Sequence, residues 1–277
     1  MEVRLASAPA PGRENEDIAF AAAGLVGVLD GVTAHATLDS GCLHGPAWYV
    51  QRLAGHLLRR GVTSAAAPLA QTLAEAIELV RDDHGGGCDL NHPNTPAATV
   101  TLLRTHGDEA DYLVLCDSPL VIDRGSGAEL ITDDRFTEAV APLRAKALAG
   151  DVPIGSNEHA QRIRAARLGQ QELVNRPDGY WIAAANPEAA AHAVEGSVPL
   201  HGTGALRRAA LLTDGASCIV DQFGLLDWSQ LLDLLTDKGP QELIDRVRAA
   251  EAADGDGYTR PRYKRHDDAT AAICLFD

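Results

Sequence analysis

Four short acidic motifs mark the positions in this sequence where side chains could carry out chemistry. They are Asn15-Glu16-Asp17, Leu29-Asp30-Gly31, Thr213-Asp214-Gly215 and Asp267-Asp268-Ala269-Thr270. Each motif borders an apolar run with the composition of a β-strand, so a rigid scaffold would hold its aspartates while they point outward. Several carboxylates at one spot would repel one another unless cations lay between them. The motifs therefore predict a hydrolase site that holds two metal ions.

The segments that must position these motifs occur mainly as strand hairpins and helix pairs. Apolar runs predict strands at 3–7, 18–22, 25–29, 98–103, 112–116, 120–123, 129–132, 179–184, 209–212 and 271–276. Helical spacing of apolar residues predicts helices at 46–60, 65–81, 136–149, 158–172, 187–194, 228–235 and 240–253. This pattern favours an α+β fold of antiparallel sheets covered by helices over a regular βαβ fold. We expect one domain over residues 1–277, with 149–180 as a flap.

Composition and charge exclude several classes of partner. The chain has 277 residues, of which 45% are hydrophobic and only 4% are aromatic, so aliphatic residues must build its core. Its formal net charge of −15 opposes general nucleic-acid binding, which depends on Lys and Arg, and opposes adsorption to anionic membranes. A phosphorylated substrate stays compatible with this charge, because metal ions would reduce it locally.

The cysteines indicate a reducing compartment. They number five, an odd count without a C-x-x-C motif, and Cys116, Cys218 and Cys274 lie in or beside apolar runs as core thiols. The N-terminal residues have no apolar stretch of signal-peptide length, and the longest apolar run, 18–29, is too short to span a bilayer. We therefore expect a cytoplasmic protein.

The order of the motifs resembles the metal-dependent protein phosphatases of type 2C, in their bacterial serine/threonine form. That family has an N-E-D element, a strand ending in D-G, a strand of small residues with Thr, a G-D-S strand, a T-D-G strand and a final D-N-x-T strand. The corresponding elements here are Asn15-Glu16-Asp17, Asp30-Gly31, Pro96-Ala97-Ala98-Thr99, Cys116-Asp117-Ser118, Thr213-Asp214-Gly215 and Asp267-Asp268-Ala269-Thr270. Each motif alone is common in turns, but six motifs in the same order as in this family, between residues 13 and 276, are strong evidence for the resemblance.

The resemblance implies a fold and a reaction. The fold would be a four-layer α-β-β-α sandwich, with two antiparallel sheets packed together and flanked by helix pairs. The reaction would be hydrolysis of phosphoserine or phosphothreonine by a metal-bridging water, without a phosphoenzyme. The partner would be a phosphorylated protein or a small phosphate ester.

The resemblance also implies the residues of the site. The metal ligands would be Glu16, Asp17, Asp30, the Gly31 carbonyl, Asp117, Asp214 and Asp267. Asp30 would bridge two ions and Asp117 would belong to a third, weaker site, while Arg13 would hold the phosphate. Carboxylate and water oxygens suit Mg²⁺ or Mn²⁺, whereas Zn²⁺ would favour His and Cys, which the acidic motifs lack.

This chain departs from the family pattern at four positions. Val32 stands where eukaryotic members have a histidine proposed as the general acid, and His35 is the nearest alternative in the sequence. Arg13 is one place closer to the acidic pair than in common bacterial members. Cys116 replaces the glycine of G-D-S, and Asp268 replaces the asparagine of D-N. The acidic core is retained, so these changes bear on efficiency and substrate more than on metal binding.

Other interpretations of these residues stay open. Asp30-Gly31 and Asp214-Gly215 could each be simple turns. The chain could be a pseudophosphatase that binds a phosphorylated partner, or a phosphatase for a small ester. The flap arginines, which are Arg162, Arg164, Arg167 and Arg176, could be a solvated helix face or could steer an anionic substrate.

A second group of candidate metal ligands lies in a Gly-rich segment. His84, Cys88 and His92 are spaced four residues apart and could bind Zn²⁺. A fourth ligand is missing from the segment and the spacing matches no zinc motif, so we predict a surface loop there.

Overall fold

The computed structural model describes residues 1–33, 38–63 and 66–276. His35 and residue 65, the first position of the second predicted helix, lie outside these described residues.

The described strands form two five-stranded antiparallel sheets. The first has the order β1-β10-β9-β6-β7 and the second the order β2-β3-β4-β5-β8. The strands are β1 (Glu2–Ala8), β2 (Asp17–Ala22), β3 (Leu25–Gly31), β4 (Ala98–His106), β5 (Glu109–Leu115), β6 (Leu120–Asp123), β7 (Ala128–Ile131), β8 (Val194–Pro199), β9 (Arg208–Leu212) and β10 (Ala269–Leu275). The first and last strands of the chain, β1 and β10, pair with each other, so they lie side by side in one sheet.

Helices flank the core of two sheets. They are α1 (Pro46–Thr63), α2 (Leu69–Asp83), α3 (Arg135–Ala147), α4 (Asn157–Gln171), α5 (Asp214–Asp221), α6 (Trp228–Lys238) and α7 (Pro240–Ala253), with a 3₁₀ turn at Pro187–His192. Helices α1 and α2 pack on the second sheet, and α5, α6 and α7 pack on the first. The four-layer α-β-β-α sandwich is thereby confirmed.

Most of the described core lies in three layers that are rich in aliphatic side chains, and a smaller cluster that includes Val140 and Ile182 lies apart from them. The layer between the sheets contains side chains such as Val28, Leu120 and Leu211, all fully buried. The layer under α1 and α2 includes Leu53 and Leu73, and the layer under α5–α7 is of similar composition. Burial of these side chains is the main force that stabilises the sandwich, because each buried Leu or Val contributes about 1.5–3 kcal/mol.

The β2–β3 hairpin has the tight turn that its sequence indicates. Ala23 and Gly24 both have positive φ, 49° and 84°, which matches the twist of a two-residue hairpin. A side chain at Gly24 would also meet the Thr105 hydroxyl at 2.6 Å. This turn sets the register in which Asp17 lies opposite Asp30.

Most predicted elements are confirmed with ends shifted by a few residues, but the strand at 179–184 is wrong. This segment forms isolated bridges, one of which pairs Ala183 with Ala98. The backbone N–H of Ile182 donates instead to the side-chain oxygen of Asn175, at 2.8 Å, so no ladder can extend. The apolar residues of this segment serve its burial, since all side chains from Tyr180 to Ala184 are buried.

Two elements were missed. Strand β8 is an edge strand whose Glu195, Gly196 and Ser197 lack the apolar pattern of a core strand. Helix α5 has eight residues and begins at Asp214, which is too short for a helical period to show. Among the described residues, no helix is long and apolar enough to cross a membrane.

Candidate active site

The β2–β3 hairpin places two of the predicted site residues side by side. Asp17 and Asp30 are direct partners in the antiparallel register, so their side chains share one face. The next residue, Gly31, donates its N–H to the Glu16 carbonyl at 3.0 Å. A Cβ at Gly31 would stand 2.5 Å from that oxygen, so glycine is required for the close approach.

The first sheet brings in Asp214 and Asp267. Asp214 is the first residue of α5, one residue beyond the end of β9, and Asp267 precedes β10, the strand paired with β9. A Cβ at Gly215 would lie 1.9 Å from the Asp268 carbonyl oxygen. The glycine of the T-D-G motif therefore lets the start of α5 pack directly on the chain that carries Asp267.

Asp117 is held by the residues around it. Ser118 is fully buried; its hydroxyl lies 2.5 Å from that of Thr99, and its carbonyl accepts from Thr101. Cys116 has a φ of 67°, in the left-handed region where glycine is favoured. This conformation explains why the resembling family has glycine at this position, and why Cys116 is a strained replacement.

A chain of hydroxyl hydrogen bonds joins the motifs behind the carboxylates. The Thr213 hydroxyl donates to Oδ2 of Asp17 at 2.9 Å and accepts from the N–H of Thr270 at 3.0 Å. The Thr270 hydroxyl lies 2.7 Å from that of Ser7, which in turn accepts from the Asn15 amide at 2.7 Å. These contacts fix the orientation of Asp17 and give Asn15 and Thr270 a structural role.

The carboxylates of the cluster disfavour one another's charge. Burial raises the pKa of Asp30 well above its ordinary value, and the charges of Asp17, Asp214 and Asp267 raise it further. Burial likewise raises the pKa of Asp17 well above normal. Burial together with the charge of Asp214 raises the pKa of Asp117 to about 7. A site with this surplus of negative charge is poised to bind cations.

Lys264 lies within the cluster, and the sequence analysis did not identify it. Its Nζ is 2.7 Å from Oδ1 of Asp267 and 2.8 Å from the Thr33 hydroxyl. Burial opposes its charge, but attraction to Asp267 and Asp214 prevails and raises the pKa of Lys264. Its proximity in sequence to Asp267 was the only signal, because an isolated lysine matches no motif.

The cluster lines a cavity of about 160 Å³ at the ends of the two sheets. Asp30, Gly31, Asp117, Asp214 and Asp267 all border it. Its far wall comes from α3 and α4 and includes Phe136, Val140, Arg144, Arg167 and Gln170.

Arg13 and Glu16 lie at an adjoining depression. They border it together with Thr33, Lys264 and Asp267, which places them beside the cluster but on its outer side. Arg13 is exposed. Burial raises the pKa of Glu16, and the hydrogen bond from Thr33 and the charges of Lys264 and Arg13 offset part of this increase.

Asp268, the departure from the D-N pattern, organises the backbone. Its Oδ1 accepts from the Ala10 N–H at 2.6 Å and its Oδ2 from the Glu16 N–H at 2.7 Å. A carboxylate can accept both bonds, whereas an asparagine offers a single acceptor oxygen. Asp268 therefore anchors the loop between β1 and β2, which carries the first acidic motif, to β10.

Replacing Asp268 with alanine is expected to lower the free energy of unfolding by about 2–5 kcal/mol, because two backbone N–H groups lose their acceptor. Urea unfolding in the presence of EDTA measures this loss without a contribution from metals. Asp268→Asn, which keeps one acceptor, should lose about half as much. If Asp268→Ala unfolds at the wild-type urea concentration, the carboxylate does not anchor the loop.

The donor set of the cluster fits hard divalent cations. Burial raises the pKa of the carboxyl groups of Asp30, Asp117 and Asp267 at the cavity, and the oxygen donors of Asp and Glu are the ligands that Mg²⁺ and Mn²⁺ prefer. The ammonium of Lys264 offsets part of this charge within the cluster. The cluster therefore has both the chemistry and the unbalanced charge that a cation site requires.

Comparison with known proteins identifies the fold. No protein-family model and no curated protein sequence matches the chain. Among solved structures, it is similar to the PPM Ser-Thr phosphatase MsPP of Mycobacterium smegmatis, bound to cacodylate (18% identity, 100% of this chain, 99% of that chain, TM-score 0.57). It is also similar to PppA, a regulatory component of the T6SS in Pseudomonas aeruginosa (22%, 99% and 97%, 0.54). A third is the catalytic domain of the serine/threonine phosphatase PstP, with two manganese ions (16%, 100% and 98%, 0.57).

These similarities extend over the whole chain, so it has the fold of the metal-dependent protein phosphatases of type 2C. The resemblance stated from the motifs is thereby confirmed at the level of the fold. The predicted acidic residues converge at one end of this fold.

Proposed function

We propose that this chain is a metal-dependent phosphoric monoester hydrolase that removes phosphate from phosphoserine and phosphothreonine in proteins. The observation that carries the proposal is the convergence of Asp30, Asp117 and Asp267 on one cavity, with Asp17 paired to Asp30 beside it, each with a raised pKa. Burying this much charge is costly, and a fold does not need it for stability. The arrangement is explained if cations bind there.

The metal ligands in this proposal are Glu16, Asp17, Asp30, the Gly31 carbonyl, Asp117, Asp214 and Asp267. They would hold two Mg²⁺ or Mn²⁺ ions, with a third at Asp117, and Arg13 would hold the phosphate. The two manganese ions of PstP support this assignment by analogy. When bound, such ions would activate the attacking water and offset charge on the phosphoryl oxygens.

The chain's own residues prepare this reaction. The Thr213 hydroxyl orients Asp17, and Lys264 keeps a positive charge beside Asp267 because its pKa is raised. Val32 cannot give a proton to the leaving group, because its side chain is apolar and its backbone N–H donates a hydrogen bond to the Ala97 carbonyl at 2.9 Å. Lys264 is a poor proton donor as well, since an acid with such a high pKa transfers its proton slowly. Its contribution is electrostatic.

Two alternatives make different predictions. A pseudophosphatase would bind phosphoprotein without turnover, although a pure binding surface has no need of so many buried carboxylates. A phosphatase for small esters would use the same cluster but would not depend on the helices α3 and α4 at the cavity wall.

A metal titration with p-nitrophenyl phosphate separates turnover from binding. We expect no hydrolysis in EDTA and restoration by Mn²⁺ or Mg²⁺, and the same dependence with a phosphothreonine peptide. Full activity without metal would refute the metal mechanism. Absence of activity with every metal, on a protein that binds the phosphopeptide, would favour the pseudophosphatase.

We also propose that residues 149–180 act as a flap within a single phosphatase-like domain. The flap arginines differ in their surroundings. Arg167 borders the acidic cavity, with its guanidinium 5.8 Å from the Tyr263 ring, whereas Arg162 is paired with Glu158 at 2.7 Å on the surface. Arg144 of α3 lies over the same tyrosine ring at 5.6 Å. Arg144 and Arg167 are therefore placed to attract an anionic peptide.

The double replacement Arg144→Ala with Arg167→Ala is expected to raise KM for a phosphopeptide about tenfold at low salt, because local attraction is lost. The difference should shrink as salt screens the charges. Hydrolysis of p-nitrophenyl phosphate should change little, and Arg162→Ala serves as the matched control. Equal loss on both substrates would indicate damage to the site, and no loss would remove these arginines from substrate binding.

A further inference from the structure

We propose that Cys42, His44, His84 and Cys88 form a structural zinc site. This site is separate from the acidic cavity, and the inference does not depend on the proposed phosphatase activity. The four side chains are the one group among the described residues whose His, Cys, Asp or Glu ligand atoms all lie within 4.8 Å of one another.

The ligands come from two loops that are distant in sequence. Cys42 and His44 lie between β3 and α1, shortly after the acidic Asp30-Gly31 motif. His84 caps the end of α2, and Cys88 follows in the next loop. The segment around His84 lacks a fourth ligand of its own, and Cys42 and His44 complete the group from the other loop.

His92, the third residue of that earlier group, is not part of the cluster. It packs against Gly41 of the opposite loop, where a Cβ would lie 2.7 Å from the Cβ of His92. Its ring nitrogen accepts from the Asn94 N–H at 3.1 Å. His92 is therefore a natural control for any test of the site.

The sulfur–nitrogen distances in this group are those of a tetrahedron, and its nitrogen–nitrogen and sulfur–sulfur distances, 3.2 and 3.1 Å, are somewhat shorter. Zinc–sulfur bonds of about 2.3 Å and zinc–nitrogen bonds of about 2.0–2.1 Å give tetrahedral edges of about 3.3–3.8 Å. Sγ of Cys42 lies 3.6 Å from Nδ1 of His44 and 3.5 Å from Nδ1 of His84. The two Nδ1 atoms are 3.2 Å apart, and Sγ of Cys88 is 3.6 Å from Nδ1 of His44. One ion at the centre can reach all four atoms.

The surroundings hold these ligands in place. The His44 N–H donates to Sγ of Cys42 at 3.3 Å, and the Leu43 N–H donates to Sγ of Cys88 at 3.4 Å. Such bonds stabilise thiolates, the form of cysteine that binds metal. The His44 ring stacks on Trp48 of α1, with centroids 3.9 Å apart, and His84 meets the edge of the same ring at 4.7 Å. The rings are therefore fixed with both Nδ1 atoms directed at one point.

Zinc fits this donor set best. Two thiolates and two neutral imidazoles make a neutral complex with Zn²⁺, which suits a site that is half-buried to buried. Mg²⁺ and Mn²⁺ prefer the oxygen ligands of the acidic cavity. Since protein atoms supply all four ligands, no position is open for a substrate, and the role is structural.

A disulfide is the main rival explanation. The two sulfur atoms are 3.1 Å apart, longer than the roughly 2.05 Å of a disulfide bond. A disulfide would also leave the two Nδ1 atoms at 3.2 Å without a common partner. A metal ion accounts for all four side chains, whereas a disulfide accounts for two.

The site would join the two loops beside the acidic cavity. The Asp89 N–H already donates to the Gly41 carbonyl at 2.7 Å, and the Asn94 amide donates to the Asp39 carbonyl at 2.9 Å. Both loops border the groove next to the cavity. Zinc would thus hold residues 38–44 against the loop after α2, without taking part in the reaction.

Metal analysis tests the proposal. The full chain is purified under reducing conditions, washed with a weak chelator in the presence of excess Mg²⁺, and analysed by plasma mass spectrometry. We expect about one zinc per chain. Cys42→Ser and Cys88→Ser should lose this zinc and lower Tm by about 5–15 °C, whereas His92→Ala and Asp30→Asn should keep it.

Cobalt substitution tests the wild-type chain and so does not depend on how the variants fold. Co²⁺ in a tetrahedral site with two thiolates gives intense visible bands and a sulfur-to-cobalt charge-transfer band, which oxygen ligands do not give. These bands should appear and should disappear when Zn²⁺ is added. Their absence from the folded protein, zinc that persists in both cysteine variants, or a Cys42–Cys88 disulfide in the reduced preparation would each overturn the proposal.

Discussion

Replacing Asp30 with asparagine is expected to abolish metal-dependent phosphatase activity while making the metal-free protein more stable. The loss of activity should be on the order of 10³-fold or more, since Asp30 is the proposed bridge between two ions. The gain in stability follows from the raised pKa of Asp30: burial and the charges of Asp17, Asp214 and Asp267 disfavour its ionised form. A neutral side chain of the same shape removes that cost, which we expect to be on the order of 1–2 kcal/mol.

The effect of pH gives this prediction a second test. A carboxyl whose pKa is raised by folding destabilises the native state as pH rises above the ordinary aspartate pKa of about 4. The stabilisation by Asp30→Asn should therefore be present at neutral pH and vanish as pH falls toward about 4. Thermal unfolding in EDTA at both pH values measures it, and Asp151→Asn, an exposed aspartate, is the control. A variant that is active, or less stable than wild type at neutral pH, would contradict the prediction.

The sequence predicted the acidic cluster well because its members lie next to rigid elements. The two positive-φ residues of the β2–β3 turn set a register that pairs Asp17 with Asp30. The glycines after Asp30 and Asp214 are required by close backbone contacts, so the motif letters carry structural information. Residues that such local geometry requires can therefore be recognised from a sequence motif.

Other features depend on contacts between segments that are distant in sequence, and no local motif indicates them. The proposed zinc ligands come from loops about forty residues apart, and no strand or helix period connects Cys42 with His84. Lys264 reaches Asp267 and Thr33 from a segment without regular structure. The apolar stretch at 179–184 predicted a strand because burial and strand formation favour the same residue types.

The second large effect, on the affinity for Mn²⁺, is expected from replacing Lys264. Its ammonium is 2.7 Å from Oδ1 of Asp267, one of the proposed ligands, so it occupies an oxygen that a cation would use. Attraction to Asp267, Asp214 and Asp30 keeps it charged at neutral pH, as its raised pKa indicates. A divalent ion would have to enter against this charge. Repulsion between the two at about 5 Å amounts to several kcal/mol at an effective dielectric constant of 20, before the side chain moves away.

Replacing Lys264 with methionine is therefore expected to tighten Mn²⁺ binding by about tenfold or more, because the competing charge is removed. The same change should destabilise the metal-free protein, since Asp267 loses its ion-pair partner. Asp30→Asn is expected to do the opposite on both counts, so the two variants form a matched pair. Mn²⁺ binding is measured directly from the electron paramagnetic resonance signal of the free ion, without reference to turnover.

Lys238→Met, which removes an exposed lysine at the end of α6, controls for net charge. Its Mn²⁺ affinity should equal that of the wild type, because the charge lies outside the cavity. Weaker Mn²⁺ binding by Lys264→Met would show that the lysine holds Asp267 in position instead of competing with the ion. An unchanged affinity would show that its side chain swings out of the cluster at no cost when the metal enters.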